Sequence, residues 1–197
     1  MDKFVRPLNI EIDLFDELNA LIEQGKFYKH LDRDEIYLKN RVSGDEDIWQ
    51  ETEPKFNIPI GELRSKIKNA DDLRKALNYR DTDYCHWNKS VSPEIIKSIQ
   101  TIEQELSINI NRVTLNRLRV TSGLNIHKDG VKKIHYPVIT TDKAFFYDAS
   151  DLENQKIYNL KQNKLYAVDT TRDHYVYNAD LSDRIHLIMC YDGDINE

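Results

Sequence analysis

Cysteine is almost missing from these 197 residues. Cys85 and Cys190 stand far apart and without metal-type spacing, which excludes a disulfide scaffold and a cysteine-built metal site. Two free thiols fit a cytoplasmic protein. Glycine and proline are also scarce, at 6 and 5 residues, too few for a linker between independent domains. No internal repeat occurs, so a repeat-built peptide-recruiting module is excluded. No run of ~18 apolar residues could cross a membrane, and Met1-Asp2-Lys3-Phe4-Val5-Arg6-Pro7 lacks the apolar core of a signal peptide. Positive charge is in deficit. The 34 acidic against 28 basic residues leave a net charge of −6, which argues against nucleic acid or a membrane surface as the main partner. What is present, 40% hydrophobic and 31% charged residues, suits one well-cored soluble domain spanning residues 1–197.

Periodicity divides that domain into two textures. Residues 13–24 place Leu14, Leu18, Leu21 and Ile22 on one helical face, with Gly25 as a stop. Residues 61–77 carry Leu63, Ile67, Leu73 and Leu77 among charges and read as one or two short helices. Ser92-Pro93 is a strong helix start, with serine at the cap and proline in the first turn, and the helix runs to about Leu106. Residues 31–59 read as loop with short strands. From about Ile108 the chain turns to short β-branched and aromatic runs at 112–120, 124–127, 133–140, 143–147, 156–160, 164–168, 174–177 and 184–191. Eight short strands at this spacing predict a mainly β, or α+β, jelly-roll over residues 108–192. A largely helical and loop region, 1–107, is expected to pack on it.

One constellation carries chemistry. In an extended chain, residues two apart face the same way, so His127 and Asp129 can both turn inward while Lys128 points out. His174, from a distant strand, would add a third ligand. Two histidines and one carboxylate are the facial-triad set of non-haem Fe(II), which leaves three adjacent positions open for an acid and O2. Arg184 begins the last strand. A guanidinium facing a barrel interior is costly unless an anion meets it there, and its planar fork suits a carboxylate. The plain alternative is a rim arginine paired with Asp180 or Asp183. His30 and His86 lack comparable company and read as structural.

The blocks Gly123-Leu124-Asn125-Ile126-His127-Lys128-Asp129, Lys133-Ile134-His135-Tyr136-Pro137-Val138, His174-Tyr175-Val176-Tyr177-Asn178 and Asp183-Arg184-Ile185-His186-Leu187 follow one another between about Leu115 and Asp192. In this order they resemble the aspartyl/asparaginyl β-hydroxylase family of Fe(II)- and 2-oxoglutarate-dependent oxygenases, whose last strand reads R-I-x-L. The resemblance implies a double-stranded β-helix, with Fe(II) held by His127, Asp129 and His174. It also implies 2-oxoglutarate with its distal carboxylate on Arg184. His135 looks like the family histidine beside the metal-side carboxylate, Lys133 like its basic neighbour, and Asn116 stands where a hydroxyl residue is usual. The implied reaction consumes O2, releases succinate and CO2, and hydroxylates a C–H bond of an amino acid or of an Asp, Asn or Pro residue in a peptide or protein.

Candidates for substrate contact are Tyr79-Arg80-Asp81, the segment Asp83-Tyr84-Cys85-His86-Trp87-Asn88, and Arg117 and Arg119, one of which could reach a carboxylate. Tyr84 and Trp87 read equally as packing residues. Two other classes of function compete. One is a catalytically silent cupin-like metal- or ligand-binding module. The other is a metal-dependent isomerase or hydrolase on the same barrel, with His135 as general base.

Overall fold

Strand pairing begins much earlier in the chain than the hydrophobic periodicity predicts. In the computed structural model, which describes residues 4–25, 27–30, 33–40 and 84–195, the first element is a strand, β1 (Val5–Pro7). Helix α1 (Phe15–Glu23) follows, then β2 (Tyr28–His30), β3 (Arg33–Tyr37), β4 (Lys39–Asn40), β5 (His86–Trp87) and helix α2 (Pro93–Leu106). The helical pattern expected at 61–77 lies outside the described residues. The β-branched runs beyond it form β6 (Asn109–Leu118), β7 (Ser122–His127), β8 (Lys132–Ile139), β9 (Ala144–Asp148), β10 (Lys156–Tyr158), β11 (Tyr166–Val168), β12 (His174–Asn178) and β13 (Arg184–Asp192). Each falls on one of the eight runs read from the sequence.

These strands make two facing sheets. The larger has the order β1-β11-β8-β13-β6-β3-β2, the smaller β10-β9-β12-β7, and neighbours in both are antiparallel. From β6 onward the chain crosses between the two sheets at nearly every turn, which is the winding of a double-stranded β-helix, a jelly-roll. The early strands extend it. β1 pairs with β11, and β3 with β6, so both outer edges of the winding's larger sheet are covered. Their residues form strands because an unpaired edge recruits them, not because local propensity demands it.

The apolar core is unevenly placed. On β8 and β13, Ile134, Tyr136, Val138, Ile185, Leu187 and Met189 point away from the smaller sheet and join Leu14, Leu18 and Leu21 near α1 and Ile95, Ile99 and Ile102 of α2. Helix α2 starts as its sequence predicts: Ser92 Oγ accepts from the Ile95 N–H at 3.3 Å, with Pro93 in the first turn. It stops at Ser107, whose φ of 53° is left-handed. A smaller apolar cluster between the sheets gathers Phe4, Leu118, Phe146, Val168 and Val176. Among the described residues no helix is long and apolar enough to cross a membrane.

Gly123 sits where β7 approaches β12 most closely. A Cβ there would come within 2.7 Å of Tyr177 Cδ2 and of the Val176 carbonyl oxygen. The ring can swing aside; the backbone carbonyl cannot. Gly123→Ala is therefore expected to destabilise the protein by about 1–3 kcal/mol through overpacking. Urea unfolding checks this, and an unchanged midpoint would show that the two strands separate without cost.

Candidate functional site

His127 closes β7 and His174 opens β12, and the two are cross-strand partners. Their ring centroids lie 4.3 Å apart. Two residues beyond His127, Asp129 turns back toward them. Its N–H donates to the Thr170 carbonyl at 2.8 Å, and Thr170 Oγ1 donates to the Val131 carbonyl at 2.6 Å. These bonds tie the turn after β7 to the segment leading into β12. Lys128 points outward, 3.3 Å from Asp173. One donor atom from each of His127, Asp129 and His174 lies within 4.8 Å of the others, and His174 Nε2 is 3.5 Å from Asp129 Oδ2. The structure thus brings the three predicted ligands together.

Both imidazoles are oriented from behind. His127 Nδ1 lies 2.6 Å from the Asn125 carbonyl, and His174 Nδ1 lies 2.9 Å from the Arg172 carbonyl. A carbonyl only accepts, so each ring carries its proton on Nδ1 and keeps the Nε2 lone pair for a metal. Burial pushes the Asp129 carboxyl up, but the charge and hydrogen bond of Lys133, with the nearby histidines, outweigh it. They hold the group well below the usual carboxylate range. Lys133 Nζ is 2.6 Å from Asp129 Oδ2. Burial also lowers His174, against the pull of its carbonyl bond and of Asp129. Two histidines held from behind at Nδ1, together with an ionised carboxylate, make the kind of donor set that divalent-metal binding requires. The donor set fits such an ion.

These ligands open onto a pocket of about 490 Å³ whose walls include Leu124, Phe146, Val176 and Ile188. Arg184 lines it and is buried, so it is not a rim arginine; Asp183 instead lies 3.9 Å from Arg117 Nε. Among the described residues no carboxylate pairs with Arg184. Its guanidinium stands 4.8 Å from the Phe146 ring centre, and Nη2 is 3.1 Å from His186 Nδ1. Burial pushes it down to about 9, which still leaves it charged at neutral pH. His135 lines the same pocket with neither ring nitrogen hydrogen-bonded, and burial together with the Arg184 charge keeps it neutral. Asn116 lines the pocket too, but its amide donates to Glu35 Oε1 at 2.8 Å while Oδ1 has no partner.

Of Arg117 and Arg119, considered as substrate contacts, Arg117 borders the pocket and Arg119 does not, and both guanidiniums are held by the buried Asp34 carboxylate, at 2.6 Å and 2.9 Å from Oδ2. The reason is strand phase: Arg117 alternates with inward-facing Asn116 and shares the outer face with Leu115, and its guanidinium lies 4.5 Å over Phe27. Tyr84 stacks on Tyr37 at 5.8 Å, and the Lys39 ammonium lies 4.7 Å over Trp87, so both aromatics pack the N-terminal segment. His86 does not line the pocket. Tyr79-Arg80-Asp81 and Asp83 lie outside the described residues. Sequence reasoning missed Thr170, Phe146 and His186. The same period-of-two argument that linked His127 to Asp129 links Arg184 to His186 and was the available signal.

The sequence model of the aspartyl/asparaginyl β-hydroxylase family matches residues 68–192. No curated protein matches significantly. Among solved structures, an oxidoreductase of the 2OG-Fe(II) oxygenase family from Burkholderia pseudomallei aligns with a TM-score of 0.53 and 12% identity, over 98% of this chain and 86% of that one. The viral collagen prolyl hydroxylase of Paramecium bursaria Chlorella virus-1, in its 2OG complex, aligns with a TM-score of 0.49 and 9% identity over 96% of each chain. At these identities the likeness is one of fold.

The Asp129 carboxyl makes the metal-free protein acid-sensitive in a defined direction. A folded-state value below the unfolded one contributes stability above about pH 4, lost as pH falls toward the folded value. Wild type should therefore lose stability faster than Asp129→Asn between about pH 4 and pH 2. Urea midpoints of the two metal-free proteins measured across that window test this. Parallel curves would show that Lys133 does not stabilise the ionised carboxylate.

Proposed function

The chain belongs to the aspartyl/asparaginyl β-hydroxylase family and is by that membership a 2-oxoglutarate-dependent hydroxylase; from this premise we propose that His127, Asp129 and His174 hold Fe(II) and that Arg184 receives the distal carboxylate of 2-oxoglutarate. The observation that carries the proposal is a buried cation without a carboxylate partner, in the pocket onto which the two histidines and Asp129 open. A buried unpaired charge is costly, and a dianionic co-substrate removes that cost on binding. The iron supplies the oxygen chemistry, by which 2-oxoglutarate becomes succinate and CO2 while a C–H bond is hydroxylated.

The chain's own residues prepare that chemistry. The carbonyls of Asn125 and Arg172 fix the two imidazoles with Nε2 forward. Lys133 donates a hydrogen bond to Asp129 Oδ2 and keeps that carboxylate ionised, as a metal ligand would have to be. Neutral His135 stands ready to meet a polar group of the co-substrate with either nitrogen. Phe146, Leu124 and Val176 line the pocket with apolar surface that limits water near the reacting centre. Among the described residues only three donors gather, so the open face that O2 and a bidentate acid need is kept. The substrate class is an amino acid, or an Asp, Asn or Pro residue of a peptide or protein. The compartment that suits free thiols and ferrous iron is the cytoplasm.

Anaerobic titration of the Fe(II) protein with 2-oxoglutarate should develop a weak visible charge-transfer band, and Arg184→Ala should weaken that binding by at least about tenfold. No spectral change in wild type would sink the co-substrate assignment. With O2 and pools of amino acids and peptides, wild type should add one oxygen atom to a component, read by mass spectrometry. Equal product from His127→Ala would refute the ligand assignment, and no product from any pool would favour a silent binding module.

A further inference from the structure

All four buried side-chain atoms that lack a hydrogen-bond partner among the described residues belong to Asn116, His135 and His186. They are Asn116 Oδ1, both nitrogens of His135, and His186 Nε2. The three residues are neighbours. Asn116 and His186 are cross-strand partners on β6 and β13, and the His135 and His186 rings meet edge to face at 5.7 Å. Buried polar atoms of this kind are ordinarily matched by a hydrogen-bonding partner. Their concentration around Arg184 marks this corner as built for more than packing. Asn116 and His135 line the pocket; His186 does not, and among the described residues its hydrogen-bond contact is with the arginine.

That contact has only one chemical sense. A guanidinium can donate and cannot accept, so at 3.1 Å Arg184 Nη2 donates and His186 Nδ1 accepts. The ring proton therefore sits on Nε2, opposite to the Nδ1-protonated form of His127 and His174. Arg184 and His186 are two apart on β13, so the pleat directs both side chains inward. An arginine has long, rotamer-rich arms, and here two fixed surfaces restrain it: the Phe146 ring and the His186 nitrogen. The remaining N–H groups stay available for a carboxylate fork.

We propose that His186 is the positioning residue for the co-substrate arginine: its Nδ1, with the proton on Nε2, holds Arg184 Nη2 and so aims the guanidinium at the carboxylate. The proposal rests on the 2-oxoglutarate reading for what Arg184 binds, but not for the Arg184–His186 contact itself.

Two measurements separate these. In ligand-free protein labelled with 15N-histidine, long-range 1H–15N spectra, assigned with His186→Asn, should show His186 neutral and protonated on Nε2. Its Nδ1 signal should shift in Arg184→Met. Protonation on Nδ1, or an Nδ1 signal indifferent to Arg184→Met, overturns the proposal whatever the pocket binds. For the positioning role, calorimetric titration of 2-oxoglutarate into the anaerobic Fe(II) protein should show His186→Leu binding on the order of tenfold more weakly. His186→Asn, whose Oδ1 replaces the Nδ1 acceptor, should recover to within about threefold of wild type. Fe(II) affinity and the thermal midpoint should stay near wild type in both variants. Equal weakening in the two, or none in His186→Leu, overturns the positioning role. A wild type with the expected tautomer that binds no 2-oxoglutarate overturns the function reading instead, and the aim of Arg184 at that acid falls with it.

Discussion

The alternation along β8 and β13 is the constraint on which the rest of the molecule depends. These two strands lie side by side in the middle of the larger sheet, and each carries opposite chemistries on its two faces. Ile134, Tyr136, Leu187 and Met189 go outward to the helices; Lys133, His135, Arg184 and His186 go inward. A one-residue slip in either strand would bury the charges among isoleucines and turn the leucines into the pocket. Register is therefore fixed from both sides. The main hydrophobic core sits outside the barrel, between sheet and helices, and that placement frees the interior for polar groups. A jelly-roll filled with its own apolar residues would be better packed and have no room for a ligand.

Inside, the electrostatics are arranged by distance. Asp129 is matched by Lys133 at 2.6 Å, a local pair that keeps the carboxylate ionised without a metal. Arg184 has no such match, and two neutral histidines surround it in place of an anion. The pocket is thus nearly balanced at the ligand cluster and positive at Arg184. A carboxylate bound at the second place would match its charge. Unmatched buried polar atoms and a buried cation gathered at one place are features that concentrate at working sites.

Legibility from sequence followed how local each signal is. The eight strands and the capped helix α2 were readable because alternation, serine-proline capping and β-branched runs act within a few residues. His127, Asp129 and His174 were readable because a ligand set is defined by residue type, and Arg184 because a cation in a strand start needs a reason. What failed were the pairings between distant segments. Nothing in Val5-Arg6-Pro7 says that it will cover β11, and nothing in Arg117-Leu118-Arg119 says that Asp34 will claim both guanidiniums. Lys133 lines the pocket, yet its bond to Asp129 depends on how the turn after β7 folds back, which no local pattern specifies. His186 was visible as a motif member, but its role depends on a 3.1 Å contact that no spacing rule contains.

The N-terminal segments, expected to pack on the barrel and to offer candidate substrate contacts, also touch the residues that line its pocket. β3 lies outside the matched residues 68–192, yet its inward-facing Glu35 takes the Asn116 amide at 2.8 Å, and Tyr37 Oη secures the other carboxylate oxygen at 2.8 Å. Its outward-facing Asp34 pairs with both Arg117, which borders the pocket, and Arg119. At the opposite edge, the Phe4 ring lies 6.0 Å from that of His174, and the Phe4 carbonyl accepts from the Asp169 N–H at 2.9 Å. Both edges of the larger sheet are thus closed by strands that also touch pocket residues. Edge protection and site construction are one structural solution here.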